Sequence, residues 1–145
     1  MPIEGEYEPG TWKLAVDQVQ LYEESGGTEG LVLNGAPCVI LWSRGRKSAK
    51  VRKNPVVRVN HGDRYAVLGS MGGAPKDPGW VLNLRADPDV TLQDGPNLAD
   101  YRARELSGDE RSEWWDRAVE VWPAYAEYQS KTDRVIPVFV LDPTD

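Results

Sequence analysis

Basic side chains are concentrated in one short segment of the chain. Residues 43–58 contain no acidic residue and seven basic ones, namely Arg44, Arg46, Lys47, Lys50, Arg52, Lys53 and Arg58. Arginine binds phosphate or carboxylate oxygens through two parallel N–H groups, lysine adds a point charge, and Ser48 adds a hydroxyl. Asn54, placed before Pro55, can turn its amide toward the same ligand. These residue types predict a site for one small anionic ligand, although a run of charges is more often a solvated loop.

The rest of the chain is acidic. The net charge of the 145 residues is −6, so the residues outside the basic segment sum to −13, and the sequence pI is about 4.9. A nucleic-acid-binding domain usually carries a broad basic surface, so we expect no nucleic-acid partner. The opposite interpretation, a nucleic-acid module built on residues 44–58, predicts binding that falls steeply with salt.

The residues of the common catalytic devices are nearly absent. The single histidine, His61, lies in a predicted turn beside Gly62, where we expect it to be exposed. The single cysteine, Cys38, lies within an apolar run, where we expect a buried and inert thiol. One histidine and one cysteine also disfavour a zinc-type site, so we predict no metal. Residues 45–48 resemble the end of a phosphate-binding P-loop, but the spaced upstream glycine is missing.

Two further segments contain residues suited to a binding site. Residues 69–76 are rich in glycine, and their backbone N–H groups either approach a ligand closely or belong to an ordinary surface loop. Trp122, Tyr125 and Tyr128 fall on one face of a predicted helical segment. A core stripe and the wall of a cofactor or substrate pocket explain these three aromatic residues about equally well.

Strands outnumber helices among the elements that must position these residues. We predict helices over residues 11–25, 79–85 and 108–122, a shorter helical piece carrying Tyr125 and Tyr128, and strands over residues 31–33, 38–42, 51–59, 65–69, 90–93, 100–106 and 135–141. Asp77 and Ser107 are expected to cap the helices that follow them, and Pro137 predicts an edge position or a bulge in the last strand. This pattern predicts an α+β fold around a mostly antiparallel sheet or barrel.

The length of the chain predicts a single domain. Residues 1–145 can bury a core without a metal or a disulfide, and we expect residues 1–10 to be a flexible tail. No apolar run approaches the 18 or so residues of a membrane span, and the first ten residues lack the basic start and apolar stretch of a secretion signal. We therefore expect a cytoplasmic protein.

Four groups of motifs follow one another along the chain. They are Gly45-Arg46-Lys47-Ser48 with Arg52 and Asn54-Pro55; Ser70-x-Gly72-Gly73-Ala74-Pro75-Lys76-x-Pro78-x-Trp80 with Asn83-Leu84; Tyr125-x-x-Tyr128-Gln129; and Thr132-Asp133-Arg134 with Ile136-Pro137-Val138. In this order and spacing they resemble the deazaflavin-dependent nitroreductase family of actinobacteria, over nearly the whole chain from about Trp12 to Pro143. The resemblance implies a split β-barrel that binds the 8-hydroxy-5-deazaflavin coenzyme F420, whose tail carries a phosphate and a glutamate chain.

The resemblance also implies a role for each motif. The implied cofactor-binding residues are Arg46, Lys47, Ser48, Arg52, Asn54 and Pro55 near the phosphate and tail, and Ser70, Met71, Gly72, Gly73, Ala74 and Asn83 near the deazaflavin ring. Tyr125 and Tyr128, together with Ser70, are the implied catalytic residues, since a tyrosine there orients or protonates the acceptor. The chain departs from the family pattern at Met71, where a lysine is usual, and at Trp122, where the enzyme that names the family has a tyrosine.

The implied activity is an oxidoreductase reaction. Reduced F420 delivers a hydride to a hydrophobic electrophile such as a quinone, an activated enone or a nitroaromatic. Two alternatives stay open, which are FMN as the second-choice cofactor and a non-catalytic carrier of flavin, haem or tetrapyrrole. The resemblance also allows a homodimer formed through the barrel.

Overall fold

The computed structural model describes residues 2–33, 35–70 and 73–144. The helices are α1 (Lys13–Glu24), α2 (Gly79–Ala86), α3 (Gly108–Val121) and α4 (Ala124–Ser130). The strands are β1 (Val32–Leu33), β2 (Ala36–Arg44), β3 (Val51–Val57), β4 (Val59–His61), β5 (Arg64–Leu68), β6 (Asp89–Asp94), β7 (Asn97–Glu105) and β8 (Val138–Pro143). The predicted order of helices and strands is confirmed except over residues 51–59, where the predicted single strand is divided into β3 and β4.

All named strands pair antiparallel in the order β1-β2-β6-β7-β8-β5-β4, and β3 pairs with β2. This arrangement confirms the predicted α+β class with a mostly antiparallel sheet. Only Arg58 separates β3 from β4, yet β3 pairs with β2 whereas β4 pairs with β5. The two ends of the strand order are therefore linked by one short, almost continuous stretch of extended chain.

The residue pattern of each strand matches the surfaces that it buries. Along β7, Tyr101 and Ala103 are buried whereas Arg102 and Arg104 face outward, as the period of two requires. Nearly every side chain of β2 is buried, because α2 packs on one side of this strand and α1 on the other. A third apolar cluster lies between β4, β5, β8 and the two helices α3 and α4.

Three local signals in the sequence did not act as predicted. Neither Asp77 nor Ser107 donates or accepts a capping hydrogen bond; Pro78 and Ser107 occupy the N-cap positions without side-chain caps. The Asp77 carboxylate instead pairs with Arg85 and Arg134. Pro137 lies outside β8, which starts at Val138 and pairs on both sides, so the predicted edge strand is wrong.

The segment before α1 contacts the sheet. The Ile3 N–H donates to Thr91 Oγ1 at 2.9 Å, and Ile3 is buried. Tyr7 forms a parallel bridge with Val51, supported by hydrogen bonds from Glu8 N to Val51 O at 2.9 Å and from Val51 N to Glu6 O at 2.8 Å. The expectation of a flexible tail over residues 1–10 did not anticipate these contacts.

Cys38 lies inside the core, in contact with the cluster beneath α1. Its side chain is buried, and burial raises the pKa of the thiol to about 12. The prediction of a buried thiol is therefore confirmed, and Cys38 also borders the cavity described below. Across residues 2–33, 35–70 and 73–144, no helix combines the length and apolar character that a membrane span requires.

An ionic network at the end of β6 predicts a defined pH dependence of stability. Although burial alone would raise the pKa of Asp94, hydrogen bonds from Arg58 and Tyr65 lower it overall. Burial, and then the bond to Asp94, raises the pKa of Tyr65 above its usual value. The contribution of Asp94 to the free energy of unfolding is therefore complete above about pH 5 and is lost as the pH falls through the folded pKa of Asp94. The contribution of Tyr65 is lost as the pH rises above about 10.

Asp94→Asn should lower the free energy of unfolding by about 1 to 2 kcal/mol between pH 5 and 9. The deficit relative to the wild-type protein should shrink as the pH falls below about 4 and through the lowered folded pKa of Asp94. Urea unfolding across this pH range measures the difference. Asp89→Asn is the matched control, since the Asp89–Arg102 pair is more than half exposed and is expected to contribute less than about 0.5 kcal/mol. A pH-independent deficit in Asp94→Asn would contradict the ionic explanation.

Candidate functional site

One cavity of about 670 Å³ brings most of the predicted site residues together. Its lining includes Arg46, Lys47, Ser48, Arg52, Asn54, Pro55, Ser70, Asn83, Tyr125 and Tyr128. Gly73 and Ala74 do not line it, and Met71 and Gly72 lie outside the described residues. The predicted residues come from the β2–β3 turn, from β3, α2 and α4, and from the glycine-rich segment.

The basic segment folds into the hairpin between β2 and β3. Gly45 N–H donates to Lys50 O at 2.8 Å, and Arg44 faces Val51 across the two strands. Arg52 and Asn54 follow on β3 with a period of two, so their side chains leave the same face of the strand. The hairpin therefore places Arg46, Lys47 and Ser48 at the tip and Arg52 and Asn54 along one arm.

Carboxylates neutralise much of the charge of this segment. The paired cations are Arg44 with Asp87 at 3.2 Å, Lys50 with Glu6 at 3.4 Å, Arg52 with Glu8 at 3.3 Å, Lys53 with Glu23 at 2.6 Å and Arg58 with Asp94 at 2.9 Å. Among the described residues, no carboxylate pairs with Arg46 or Lys47. Both of these side chains line the cavity. The positive charge left for a ligand is thus concentrated at the hairpin tip.

Asn83 holds this tip in place. Its Oδ1 accepts hydrogen bonds from Arg46 N at 3.1 Å and from Arg46 Nη1 at 3.2 Å, and the Asn83 side chain is buried on α2. Arg46 Nη1 also donates to Gly79 O at 3.4 Å, at the start of the same helix. Asn83 therefore orients a cationic side chain as well as lining the cavity.

Arg134 holds the glycine-rich segment in place through hydrogen bonds to its backbone, a set of contacts called the Arg134 clamp below. Its guanidinium donates to Gly69 O at 3.0 Å, to Ser70 O at 2.8 Å, to Ala74 O at 2.8 Å and to the Asp77 carboxylate at 2.8 Å. The Arg134 side chain is only 15% exposed. Ser70, whose carbonyl is held in this way, lines the cavity, so Arg134 sets the position of one cavity wall.

The glycines of this segment permit close packing. A Cβ atom on Gly69 would lie 2.5 Å from Val81 Cγ2, and one on Gly73 would lie 2.7 Å from Tyr128 O. Gly73 also has a φ of +84°, which favours glycine. The segment consequently lies directly against α2 and α4. Gly73 thus supports the wall formed by α4 from outside the cavity.

The aromatic residues of α4 serve both as core and as cavity wall. The Tyr125 ring is buried and packs with Trp115 and Tyr128 at centroid distances of 6.3 and 6.1 Å, and Tyr125 also lines the cavity. Burial, with a smaller contribution from Tyr128, raises the pKa of Tyr125 above its usual value, so its phenol stays neutral at physiological pH. Trp122 Nε1–H donates to Tyr128 Oη at 3.4 Å. An indole nitrogen only donates, so the Tyr128 hydroxyl keeps its own proton for a ligand.

Several lining residues were not predicted from the sequence. They are mainly apolar, and they include Trp12, Ala15 and Val16 of the α1 region, Val56, Val57, Leu68 and Trp80. Glu8, which was placed in the expected flexible tail, lines the basic end. Apolar periodicity marks most of these positions as buried or half-buried, but it does not distinguish core from cavity. His61 contacts Trp114 at a centroid distance of 6.4 Å and does not line the cavity.

Several known proteins similar to this chain have F420 in their descriptions. A family model described as F420H(2)-dependent quinone reductase matches residues 14–143. An F420H(2)-dependent quinone reductase of Mycobacterium tuberculosis is 34% identical over 125 residues, which are 83% of this chain and 84% of that protein. A solved F420-H2 dependent reductase is 50% identical with a TM-score of 0.70, over 73% of this chain and 94% of the other. A solved domain-swapped dimer is 45% identical with a TM-score of 0.73, over 88% of this chain and 96% of the other.

Arg134→Ala should loosen the glycine-rich segment and lower the free energy of unfolding by about 2 to 4 kcal/mol, because three carbonyls and one carboxylate lose a charged donor. Arg134→Lys should recover only part of this loss, because an ammonium group cannot reproduce the planar fork. Hydrogen exchange of residues 69–76 and urea unfolding measure the two effects.

Arg85→Ala provides the matched control. Arg85 also pairs with Asp77, at 3.3 Å, but it donates to no carbonyl among the described residues of the glycine-rich segment. This variant should leave the exchange of residues 69–76 unchanged. Equal exchange in the Arg85 and Arg134 variants would show that Asp77, and not the three carbonyls, accounts for the clamp.

Proposed function

Because the chain belongs to the F420H2-dependent quinone reductase family, we propose that it uses F420H2 to reduce hydrophobic quinones, with enones and nitroaromatics as secondary acceptors. The enzyme is an F420H2-dependent reductase, and F420 is its cofactor. The observation that carries the proposal is the polarity of the cavity. Arg46 and Lys47, which have no carboxylate partner among the described residues, line the same cavity as Tyr125, Tyr128 and Trp122.

The residues of this cavity fit the chemistry of F420. Arg46 and Lys47 offer charge without a carboxylate partner in the described part of the chain, which suits the phosphate of the cofactor tail. Ser48 and Asn54 add polar groups nearby, and Asn83 holds Arg46 toward the cavity. Ser70 and the apolar residues Leu68 and Trp80 supply uncharged lining for a ring system. FMN shares this general chemistry and remains the alternative cofactor to test.

When bound, the reduced deazaflavin supplies the hydride, and the protein supplies orientation and electrostatics. Tyr125 presents a neutral phenol that donates a hydrogen bond to the acceptor oxygen, and Tyr128 presents a second hydroxyl oriented by Trp122. A quinone oxygen gains charge as it is reduced, so donors at this place favour the transition state over the ground state. Trp122, Val57 and Leu68 form an apolar wall that excludes water and suits a quinone ring.

Two finer features of the assembly are part of the same proposal. We infer that the sheet is a split barrel, with β3 and β4 joining the two ends of the strand order; the pairings of β3 with β2 and of β4 with β5 support this. We also infer a homodimer. A domain-swapped dimer among the similar structures supports this inference, and so does the 60% exposure of Trp12 in this chain.

F420 should bind to the purified protein and change its fluorescence on titration, with higher affinity than FMN. Lys47→Ala and Arg46→Ala should each weaken this binding by about tenfold or more, because each removes a charge-assisted contact. Lys50→Ala is the matched control, since it removes the same charge from a side chain that pairs with Glu6 outside the cavity. Failure of the wild-type protein to bind F420 at micromolar concentrations would refute the proposed function.

Tyr125→Phe should lower kcat for quinone reduction by about tenfold or more while leaving the affinity for F420 within about twofold. Anaerobic oxidation of F420H2 by a panel of quinones, enones and nitroaromatics measures the rate and the order of acceptors. Because the pKa of Tyr125 is raised, the rate should show no loss from phenol ionisation below pH 10.

Tyr101→Phe is the control for loss of a phenol hydroxyl, since Tyr101 is buried but does not line the cavity. Equal rates for wild type and Tyr125→Phe would exclude the hydroxyl from the reaction. Tight F420 binding without turnover of any acceptor would instead favour a cofactor carrier.

A further inference from the structure

The acidic residues Glu6 and Glu8 lie beside the basic hairpin. The backbone of residues 6–8 pairs with the first residue of β3 through two hydrogen bonds to Val51. This pairing fixes the register of residues 6–8 against β3. Glu6 consequently meets Lys50, and Glu8 meets Arg52, two residues further along.

The two carboxylates differ in one respect. Glu8 lines the cavity, whereas neither Glu6 nor its partner Lys50 does. Glu8 Oε1 accepts hydrogen bonds from Ser48 Oγ at 3.1 Å and from Arg52 Nη1 at 3.3 Å. Ser48 and Arg52 are residues that the sequence assigned to the anionic tail of a ligand. A carboxylate of the protein itself thus accepts hydrogen bonds from the Ser48 hydroxyl and from one nitrogen of the Arg52 guanidinium.

This arrangement divides the basic end into two parts. Arg46 and Lys47 lack a carboxylate partner among the described residues and remain free for one anionic group. At Ser48 and Arg52, a second anion must displace the Glu8 carboxylate or accept its repulsion at short range. Each added negative charge in a ligand tail therefore raises the binding affinity by less than the number of basic residues in the hairpin suggests.

We propose that Glu8 is a specificity-determining residue, whose carboxylate occupies the Ser48–Arg52 subsite and makes the groove discriminate against ligands with several tail carboxylates. This inference rests on the proposed function, because F420 forms differ in the number of glutamates after the phosphate. Wild-type protein then binds a form with several glutamates no more tightly than a form that ends before the glutamate chain. A Glu8 that served only to orient Arg52 for the ligand would have the opposite effect on affinity.

The test compares Glu8→Gln with Glu6→Gln. Both substitutions remove one negative charge from the same extended segment and keep the shape of the side chain, but only the first acts inside the cavity. Fluorescence titration gives the affinity of each protein for F420 without glutamates and for F420 with several. Thermal unfolding of each variant verifies that the segment is folded.

Glu8→Gln should raise the affinity for the polyglutamate form by about two- to fivefold, and that for the truncated form by less than about twofold. Glu6→Gln should change both by less than about twofold. The gain should fall at 0.5 M salt, since both side chains of the Glu8–Arg52 pair are more than a third exposed. In a protein that already carries Arg52→Gln, the further change Glu8→Gln should no longer raise the affinity for the polyglutamate form, because the subsite then contains no arginine that Glu8 could neutralise.

Equal changes in the Glu8→Gln and Glu6→Gln proteins would overturn the inference while leaving the proposed function intact. Weaker binding of both F420 forms by Glu8→Gln would also overturn it, in favour of an orienting role. If the wild-type protein bound neither form, the proposed function would fail and the inference would fail with it.

Discussion

The contact between Arg134 and the glycine-rich segment supports the rest of the site. The Arg134 guanidinium donates to three backbone carbonyls of this segment while it pairs with Asp77, and the Ser70 carbonyl also accepts a hydrogen bond from Gly73 N at 2.9 Å. A buried carbonyl without a partner costs about 1 to 3 kcal/mol, so the segment depends strongly on this side chain. Since Gly73 lies against the backbone of Tyr128, the same clamp also sets the separation between the segment and α4.

Ion pairs decide which cations of the basic hairpin are available to a ligand. Composition alone suggested seven cations for one ligand, yet most of them serve the fold by pairing with carboxylates from α1, β6 and the segment before α1. Five of these cations are paired with carboxylates, whereas the ligand-groove interpretation stays a prediction for Arg46 and Lys47. Arg46 and Lys47 stay available because the hairpin tip carries them away from those carboxylates, and Asn83 is a neutral partner that orients Arg46 without cancelling its charge.

Local signals predicted the elements better than they predicted the partners of individual side chains. The strands predicted over residues 90–93 and 100–106 correspond to β6 and β7, because strand patterns act between neighbouring positions. Asp77 has the residue type of an N-cap, but two arginines outcompete the helix terminus for its carboxylate. The choice between core and cavity wall for Tyr125 had no single answer, since the ring packs in the core while the residue lines the cavity.

The sequence by itself determined the α+β class, the order of the elements, and the residue types needed to bind an anion beside a ring, because periodicity and side-chain chemistry are local properties. Only the tertiary structure decided which of these residues share a cavity and which are already paired. Arg46 meets Asn83 across 37 positions, and Glu8 meets Arg52 across 44. Such contacts depend on how the strands and helices pack, and a local pattern carries no information about the pairing of distant segments.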